Sequence, residues 1–227
     1  MIRPLTHPTD FEYELAKSSI LYLTGDSEVR VVVLENQDYR FLVINGAIQS
    51  VLKLQDPKAL VLPHQLELLA ELPQLAPTAR VLELGLGGGS ALRHASYCYP
   101  QLYWCCLETN AEVINLYWEY FAPEQELAEH EIILSDSLEW LQKTPARQQF
   151  ELILCDVYAE VQAPLLEACL GRLSADGVLM VNWLPHLQPQ GNKSLDFFHW
   201  LSAQQNLQHT MQKVKGFRNQ IHRLTKI

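Results

Sequence analysis

The eight residues ELGLGGGS, Glu83–Ser90, decide the fold. They place four of the chain's ten glycines in five successive positions, directly after the apolar run Val81–Leu84 and before a segment with helical periodicity. A glycine-rich turn between a strand and a helix lets the backbone approach a ligand closely, and the helix that follows offers free N–H groups. The stretch therefore predicts a ligand-binding loop, with a purely structural tight turn as the alternative.

The sequence around this loop alternates between apolar strands and amphipathic helices. The strand segments are ARVLELG, LYWCCLE, EIILSD, FELILCD and GVLMVNW, and the helical segments are PHQLELLAELPQL, GSALRHASYCYP, NAEVINLYWEYF, SLEWLQKT and APLLEACLGRL. Regular alternation of this kind is typical of a parallel, doubly wound sheet. The final segment predicts a helix and a β-hairpin that turns through Gly216. We assign residues 61–227 to this domain.

Residues 18–53 have a different pattern, with short β-branched runs separated by turn signals. The strongest of these signals is Asn45-Gly46, a dipeptide that favours a tight hairpin turn. The pattern predicts a small antiparallel sheet, so residues 1–60 are assigned to an N-terminal β region. The predicted fold class is α/β, a Rossmann-like domain preceded by a small antiparallel sheet.

The charge of the chain argues against a nucleic-acid partner. Its 227 residues carry a net charge of −9, and the 17 lysines and arginines form no cluster. Binding a phosphate backbone requires clustered basic side chains. We therefore expect a small-molecule partner, and the acidic balance suits a cationic one.

Cysteine usage and hydropathy indicate the compartment. The five cysteines form no C-x-x-C pair, lie mostly in apolar runs, and are expected to be free thiols. The N-terminal residues MIRPLTHPTDFEYEL lack the apolar core of a signal peptide, and no apolar run is long enough to span a membrane. The histidines have no ligand-like spacing. We expect a cytoplasmic protein without a metal site or a membrane partner.

The spacing of the glycines selects between two ligand classes. A dinucleotide fingerprint, G-x-G-x-x-G, requires a third glycine where this chain has Ser90. The alternative spacing E-x-G-x-G-x-G is satisfied by Glu83, Gly85, Gly87 and Gly89. This motif resembles the first motif of class I S-adenosylmethionine-dependent transferases. We therefore expect these four residues to form part of a site for an adenosyl ligand.

Polar residues at the ends of the next two strands match the same ligand. Glu108 ends the second strand, where a carboxylate accepts hydrogen bonds from a ribose diol. Asp136 and Ser137 follow the third strand, within reach of an adenine amino group. Asp136 is equally suited to capping the helix that begins there, and both roles are compatible.

The fourth strand is where we expect the chemistry. It ends at Asp156, and Tyr158 follows two residues later. A carboxylate at this place is suited to hold an acceptor amine and take its proton, and Tyr158 could share that work. The alternative is that Asp156 only caps a neighbouring element. Trp183–Pro185, at the end of the fifth strand, are expected to wall the acceptor pocket.

Seven segments in this order resemble the spermidine synthase family of aminopropyltransferases over residues 18–185. They are INGAIQS, LAELP, VLELGLGGGSALR, CLETNAEVINLYWEYF, ILSDSLEWL, FELILCDVYAE and DGVLMVNW. The resemblance implies a homodimer in which decarboxylated S-adenosylmethionine donates an aminopropyl group to a diamine, leaving methylthioadenosine. By position it implies that Gln49 and Glu108 bind the donor, that Asp136 lies near adenine, and that Asp156 is the catalytic aspartate.

The chain departs from the family pattern at the charged positions. The family has an aspartate where this chain has Gly88, a second aspartate where it has Ala159, and a tyrosine near the place of Gln65. Glu160 is displaced by one residue from the second of these positions. A diamine would therefore lose carboxylate partners, and an unpaired ammonium group is costly to desolvate. We predict weak or absent transfer to putrescine for this reason. The loop GLGGGS and the strand GVLMVNW resemble those of spermidine synthase-like proteins that lack these aspartates.

The sequence therefore predicts a transferase that uses S-adenosylmethionine or its decarboxylated form and a small amine acceptor. Two alternatives stay open. One is a methyltransferase that uses the intact donor and releases S-adenosylhomocysteine, and the other is a non-catalytic protein that binds an adenosyl ligand. Asp156 with Tyr158 distinguishes an enzyme from a binding protein, and Gly88 distinguishes the two enzymes.

Overall fold

The N-terminal part of the chain forms a four-stranded antiparallel sheet, as predicted. In the computed structural model, which describes residues 5–25, 29–124, 126–145, 148–158, 161–185 and 194–227, the strands lie in the order β1-β2-β3-β4. Their bounds are β1 Ser19–Gly25, β2 Arg30–Glu35, β3 Tyr39–Ile44 and β4 Ala47–Lys53. The predicted turn between β3 and β4 is made by Asn45 and Gly46 at φ 50° and 81°, which are left-handed values that Asn and Gly tolerate.

A helix that the periodicity did not predict precedes this sheet. It is α1, Pro8–Ala16, and it begins with a capping box. The His7 side chain accepts a hydrogen bond from the backbone of the first turn, and the Asp10 side chain accepts one from the His7 N–H. Only Phe11 of this helix is fully buried. The helix therefore lacks the repeated buried apolar residues from which an amphipathic helix is predicted.

The second and larger sheet has seven strands in the order β10-β11-β9-β8-β5-β6-β7. Its strands are β5 Arg80–Leu84, β6 Tyr103–Glu108, β7 Glu129–Leu134, β8 Phe150–Cys155, β9 Leu173–Trp183, β10 Leu207–Lys213 and β11 Gln220–Lys226. The five strands from β5 to β9 are parallel, and β10 and β11 form the predicted hairpin that joins β9 antiparallel.

Helices occupy the predicted connections of this sheet. They are α2 Pro63–Leu68, α3 Ser90–Cys98, α4 Ala111–Leu116, α5 Ser137–Lys143, α6 Ala163–Arg172 and α7 Ser194–Ala203, with a short 3₁₀ turn at Leu72–Gln74. The segment predicted as one helix after β6 ends in a π-helical turn, Tyr117–Phe121. This turn buries Tyr117 and Phe121 in the core.

The strand order creates the crevice in which ligands bind in folds of this kind. From β5 the chain builds outward through β6 and β7, then crosses back to place β8 on the other side of β5. At such a switch point the connections after the two central strands diverge, leaving a crevice beyond their carboxyl ends. The glycine loop follows β5 and Asp156 follows β8, so the fold brings these two predicted site elements together.

The core lies on both faces of the larger sheet and continues into the smaller one. One buried cluster includes Val81 of β5, Leu154 of β8 and Val33 and Leu42 of the N-terminal sheet. The boundary predicted near residue 60 therefore separates two sheets that share apolar contacts, and the division into domains stays a prediction. Among the described residues, no helix combines the length and apolarity needed to cross a membrane.

Candidate active site

The glycine loop is held between β6, β8 and the N-terminal sheet. The Gly85 N–H donates to the carbonyl of Leu107 at 2.9 Å. Gly85 has a φ of 95°, and a Cβ placed on it would lie 2.6 Å from the Asp156 carbonyl oxygen. Only glycine combines this conformation with this proximity. The loop therefore brings its backbone directly against the end of β8.

Ser50 of β4 fixes the centre of the loop. Its Oγ accepts from the buried Gly88 N–H at 2.7 Å, and it would lie 2.9 Å from a Cβ on Gly87. A Cβ on Gly88 would meet the Ser50 Cβ at 2.8 Å and the Phe121 ring at 3.1 Å. Glycine at positions 87 and 88 therefore allows the loop to pack closely against Ser50 and Phe121.

Arg93 of α3 supports the loop from within. Its guanidinium, 1% exposed, donates to the Gly88 carbonyl at 2.8 Å and to the Pro57 carbonyl at 2.9 Å, with a longer contact to the Phe121 carbonyl at 3.3 Å. Burial lowers the pKa of this guanidinium to about 10. The side chain ties α3, the glycine loop and the segment after β4 into one unit.

Glu108, the predicted ribose-binding acid, closes the other side of the loop. Its Oε2 accepts from the Leu86 N–H at 3.1 Å, and its Oε1 accepts from the N–H groups of Thr109 and Asn110 at 2.8 and 2.9 Å. A carboxylate offers about four lone-pair sites. Glu108 is therefore oriented by backbone donors and still has acceptor capacity on Oε2.

Asp136 and Ser137 lie one strand further along the same edge. The Asp136 Oδ1 accepts from the Glu139 N–H at 2.9 Å, which confirms its predicted position as the cap of α5. Asp136 is exposed, whereas Ser137 is buried. The contact of these residues with an adenine ring stays a prediction.

Glu83, the acid that begins the glycine motif, lies inside the sheet beneath the loop. It is 4% exposed, and its Oε2 accepts from the Trp104 Nε1–H at 2.7 Å. Burial raises the pKa of Glu83 to about 8, against the effect of the Trp104 hydrogen bond. The side chain is therefore mostly protonated at neutral pH, and its place in a ligand site stays a prediction.

Asp156, the predicted catalytic aspartate, contacts residues from two other elements, β9 and α2. Its Oδ1 accepts from the Asn182 Nδ2 at 2.7 Å, and the Asn182 Oδ1 in turn accepts from the Asn219 Nδ2 at 2.9 Å. Its Oδ2 lies 3.7 Å from the Nε2 of His64 in α2. Burial acts to raise the pKa of Asp156, but hydrogen bonding and charge from His64, together with Asn182, hold that pKa below its usual value.

Two glutamines on the N-terminal side have buried polar atoms that lack a partner among the described residues. They are the Gln49 Nε2 and the Gln65 Oε1. The carbonyl oxygen and Cβ of Gln49 lie about 4 Å from the position of a Cβ on Gly87, which places this residue beside the loop. An unpaired buried donor at a ligand loop fits a ligand that supplies an acceptor.

The remaining predicted residues lie farther out. Tyr158 is 49% exposed just after β8. Pro185, from the predicted acceptor wall, lines an open cleft of about 430 Å³ with Phe217 and Asn219. Ala159 and Glu160, the two positions at which the second aspartate was considered, lie outside the described residues.

Sequence reasoning missed His64, Asn182 and Arg93. His64 was considered only as a metal ligand, Asn182 was placed in a strand, and Arg93 was placed in an amphipathic helix. The signal for Asn182 is a polar residue in an otherwise apolar strand, and the signal for Arg93 is a cation beside the glycine loop. His64 has no comparable signal, because its partner comes from a distant strand end.

Comparison with known proteins finds curated relatives of modest sequence identity. The polyamine aminopropyltransferase of Neisseria meningitidis serogroup A is 28% identical over 152 residues, which cover 61% of this chain and 55% of that protein. The chain thus spans about half the length of this curated relative. No protein-family model matches the chain.

Solved structures show the same fold. A probable spermidine synthase from Corynebacterium glutamicum matches with a TM-score of 0.70 at 19% identity, covering 92% of this chain and 80% of that chain. Human methyltransferase-like protein 13 in complex with SAH matches with a TM-score of 0.60 at 19% identity, covering 73% and 82% of the two chains. The predicted resemblance is confirmed: the chain is similar in sequence to a polyamine aminopropyltransferase, and it shares the fold of the spermidine synthases and of class I S-adenosylmethionine-dependent transferases.

Proposed function

We propose that the chain binds an adenosyl sulfonium, S-adenosylmethionine or its decarboxylated form, and transfers an alkyl group from it to a small amine. The aminopropyl group is the leading candidate, since the curated relative is named for that transfer. The observation that carries the proposal is the position of Asp156. It follows β8 directly beside Gly85, with one carboxylate oxygen fixed by Asn182.

The residues around the glycine loop fit an adenosyl donor. The Gln49 Nε2 is a buried donor that needs an acceptor, and Glu108 is a held carboxylate with acceptor capacity for ribose hydroxyls. When bound, the sulfonium supplies an electrophilic carbon whose bond to sulfur breaks during transfer. Gln49 and Glu108 would hold the donor, and Asp136 and Ser137 would border its adenine.

Asp156 is suited to attract the acceptor. Because its pKa is held below the usual value, the carboxylate remains ionised at neutral pH. An ionised carboxylate draws an amine to the crevice and orients its nitrogen, and orientation of this kind supplies much of the rate in a transfer reaction. The cost of burying the charge is offset by Asn182 and by the neighbouring His64.

Methyl transfer from intact S-adenosylmethionine is the second candidate, and the surroundings of Gly88 favour it. A side chain there would collide with the Ser50 Cβ and the Phe121 ring. No carboxylate fits at this position, which is where the family resemblance implies an aspartate near the aminopropyl end of the donor. The spacing of the motif from Glu83 to Gly89 is also the one that resembles class I S-adenosylmethionine-dependent transferases in general. A non-catalytic adenosyl-binding protein is the outcome if no transfer is found.

The test is a binding and transfer experiment with the purified chain. Calorimetry with methylthioadenosine should show binding, and Glu108→Gln should weaken it by about 1.5–3 kcal/mol, the value of a charge-assisted hydrogen bond. Glu129→Gln, at the opposite end of the parallel strands, is the matched control. NAD should not bind. Absence of binding by methylthioadenosine and by both donors would contradict the proposal.

The acceptor is tested with each donor separately. Decarboxylated S-adenosylmethionine and putrescine are incubated with the chain, and spermidine and methylthioadenosine are followed by chromatography. We expect little spermidine, and we expect other amines to release more methylthioadenosine. Rapid spermidine formation that Asp156→Asn abolishes would instead establish a polyamine synthase. Release of S-adenosylhomocysteine from intact S-adenosylmethionine would establish methyl transfer.

The homodimer implied by the resemblance and the cytoplasmic location expected from the sequence are proposals. Light scattering after gel filtration should give twice the mass of one chain. A monomer at micromolar concentration would contradict the first, and fractionation of the source cells tests the second.

A further inference from the structure

A basic turn, residues 213–220, joins β10 and β11 at the edge of the sheet where Asp156 lies. Its sequence KVKGFRNQ carries Lys213, Lys215 and Arg218 and contains no acidic residue. Gln220 begins β11 opposite the end of β9, and Lys213 ends β10 opposite Gln220. Because β9 runs parallel to β8, the basic turn and the end of β8 share one edge of the sheet.

The basic turn borders the open cleft of about 430 Å³ described above. The residues that line this cleft are Pro185, Lys213, Phe217, Arg218, Asn219 and Gln220. The Phe217 ring packs edge to face on Phe11 of α1, with the ring centroids 6.0 Å apart. The Val214 N–H donates to the Asn219 carbonyl at 3.0 Å and closes the turn. The cleft therefore combines two cations with apolar surface, on a turn that packing holds in place.

The two cations of the cleft have no acidic partner in the described part of the chain. Within it, neither Lys213 nor Arg218 makes an ion pair or a side-chain hydrogen bond, and both are exposed. This local balance is opposite to that of the whole chain, whose net charge is −9. Two free cations beside apolar surface suit one small anionic group, whereas a nucleic-acid backbone needs a larger basic surface.

Asn219 connects the cleft to Asp156. Its Nδ2 donates to the Asn182 Oδ1 at 2.9 Å, and the Asn182 Nδ2 donates to the Asp156 Oδ1 at 2.7 Å. Neighbouring strands lie about 4.8 Å apart, so β11 and β10 are about 10 and 15 Å from β8. The flexible four-carbon stem of Lys213 can span part of that distance. A short aliphatic chain is therefore enough to join a group at Asp156 to a group in the cleft.

The strand order places the cleft on the acceptor side of the crevice. The glycine loop, Glu108 and Asp136, which are proposed to hold the donor, follow β5, β6 and β7 on one side of β8. The cleft lies beyond β9 and β11, on the other side. Asp156 lies between them at the end of β8. An acceptor with its amine at Asp156 can therefore extend into the cleft while the donor occupies the opposite side.

We propose that the acceptor is a small primary amine joined by a short aliphatic chain to an anionic group, a carboxylate or a phosphate, which binds in the cleft at Lys213 and Arg218. This acceptor class rests on the proposed transfer to an amine and specifies which amine it is. Ala159 stands where the resemblance implies a second aspartate for a diamine. The far ammonium of a diamine would be repelled by the two cations, whereas an anion pairs with them.

The anionic group takes no part in the bond changes. The lone pair of the neutral amine forms the new carbon–nitrogen bond, the carbon–sulfur bond of the adenosyl sulfonium breaks, and its electron pair stays on sulfur as a neutral thioether. The nitrogen is then positively charged and loses a proton to water. The product is an amino acid or an amino phosphate that carries the transferred alkyl group on its nitrogen.

The first test compares acceptors that have the same number of carbons and differ in the charge of the far end. They are γ-aminobutyrate, butylamine and putrescine, and transfer is followed as release of methylthioadenosine or S-adenosylhomocysteine from the corresponding donor. We expect kcat/KM for γ-aminobutyrate to exceed that for butylamine at least about tenfold, the low end for one charged hydrogen bond, and putrescine to be the poorest. β-Alanine against phosphoethanolamine then distinguishes a carboxylate from a phosphate.

The second test changes the cleft. Lys213→Gln and Arg218→Gln should each lower the ratio of kcat/KM for γ-aminobutyrate to that for butylamine by about tenfold or more, chiefly through KM. Lys215→Gln removes the same charge from the same turn at a residue that does not line the cleft. It is the matched control and should change the ratio less than about twofold, since salt screens exposed charges. Lys213→Glu should shift the preference towards putrescine.

Binding is measured separately from transfer. Calorimetry of γ-aminobutyrate with the chain saturated by methylthioadenosine should show binding that Lys213→Gln weakens about tenfold. Lys215→Gln should bind it as the parent does. This measurement needs no reaction, and because both residues are exposed the variants are expected to fold.

The outcomes separate this acceptor class from the proposed function. Transfer to butylamine or putrescine without a preference for anionic amines would overturn the acceptor class and leave the proposed function intact. A preference for anionic amines that neither cleft variant reduces would overturn the role of Lys213 and Arg218. Binding of γ-aminobutyrate that depends on Lys213, without transfer from either donor, would support the anion site and overturn the transfer function.

Discussion

Gly89 lies directly against the ring of Tyr117: a Cβ on Gly89 would stand 2.2 Å from the ring's Cε2. Gly89 also has a φ of 61°, and it begins α3 as its N-terminal cap. Tyr117 is 1% exposed in the π-helical turn after α4. The last glycine of the loop is therefore required by a buried aromatic ring and by the backbone conformation at the same time.

We predict that Gly89→Ala destabilises the fold by about 2–4 kcal/mol, since it adds backbone strain and overpacking. Urea denaturation measures the change. Gly171→Ala is the matched control, because no atom of the described residues lies within 4 Å of its added Cβ. It lies in α6, where alanine is favoured by up to about 1 kcal/mol. Equal stability of both variants would contradict this account of the loop.

Arg93 offers a second prediction about the support of the loop. Arg93→Met keeps much of the side-chain volume but leaves the carbonyls of Gly88 and Pro57 without their donor. The Gly88 carbonyl is buried and the Pro57 carbonyl partly buried, so the change should cost about 1–3 kcal/mol for the first group and less for the second, which denaturant unfolding should show. Arg30→Met removes the same charge at an exposed position and should change stability by less than about 0.5 kcal/mol. A small effect at Arg93 would mean that water replaces the guanidinium.

Substitution of Gln49 should raise the stability of the free protein and lower its affinity for the ligand. Gln49→Met removes a buried donor that has no partner in the described part of the chain, so the free protein should gain about 1 kcal/mol. If that donor is kept for the adenosyl ligand, methylthioadenosine should bind about tenfold more weakly, equivalent to about 1.4 kcal/mol. Thermal melts and calorimetry measure the two effects. Gln208→Met, at an exposed position of β10, should change neither. Unchanged affinity in Gln49→Met would remove this residue from the site.

Glu83 makes stability depend on pH in a defined direction. Its pKa is raised from 4.5 to about 8 in the folded chain, so folding favours the protonated form. This contribution is fully present below pH 4.5 and is lost as pH rises through 8, because the unfolded chain releases the proton more readily. Glu83→Gln keeps an acceptor for Trp104 and should flatten the fall of stability between these limits by about 2–4 kcal/mol.

Chemical denaturation at a series of pH values measures the Glu83 effect. Glu12→Gln, at an exposed position of α1, is the control and should leave the pH dependence as it is. If the parent and Glu83→Gln lose stability in parallel as the pH rises, Glu83 is ionised in the folded protein and its surroundings are more polar than described.

The sequence was sufficient to predict the elements that depend on local patterns. The apolar runs at Val81–Leu84 and Phe150–Cys155 predicted buried strands, and the glycines between Gly85 and Gly89 predicted the turn after the first of them. The hairpin through Gly216 and the cap at Asp136 were also predicted. In each case the deciding interaction lies within a few residues, or arises from burial on both faces of a strand.

The contacts that the sequence did not predict join distant segments. His64 meets Asp156 only because α2 packs across β9 and β11, and no spacing in the sequence indicates that packing. Ser50 reaches Gly88 because the N-terminal sheet packs on the loop. The space beside Gly87 was expected to receive a ligand, whereas the structure places Ser50 against it. Side chains that meet across two sheets are decided by tertiary packing.

The position of β8 beside β5 has a consequence for how the protein is made. The two strands pair in parallel, with Val81 opposite Leu152, about 70 residues later in the chain. Strands this far apart in sequence pair only after a long loop has closed. Because the entropy of loop closure is lost before any contact between the strands forms, such pairs form slowly. During synthesis, β5 and its glycine loop emerge well before the strand that completes them. The crevice between them therefore assembles late, after both β6 and β7 have left the ribosome, and until then one edge of β5 remains open to pairing with other chains.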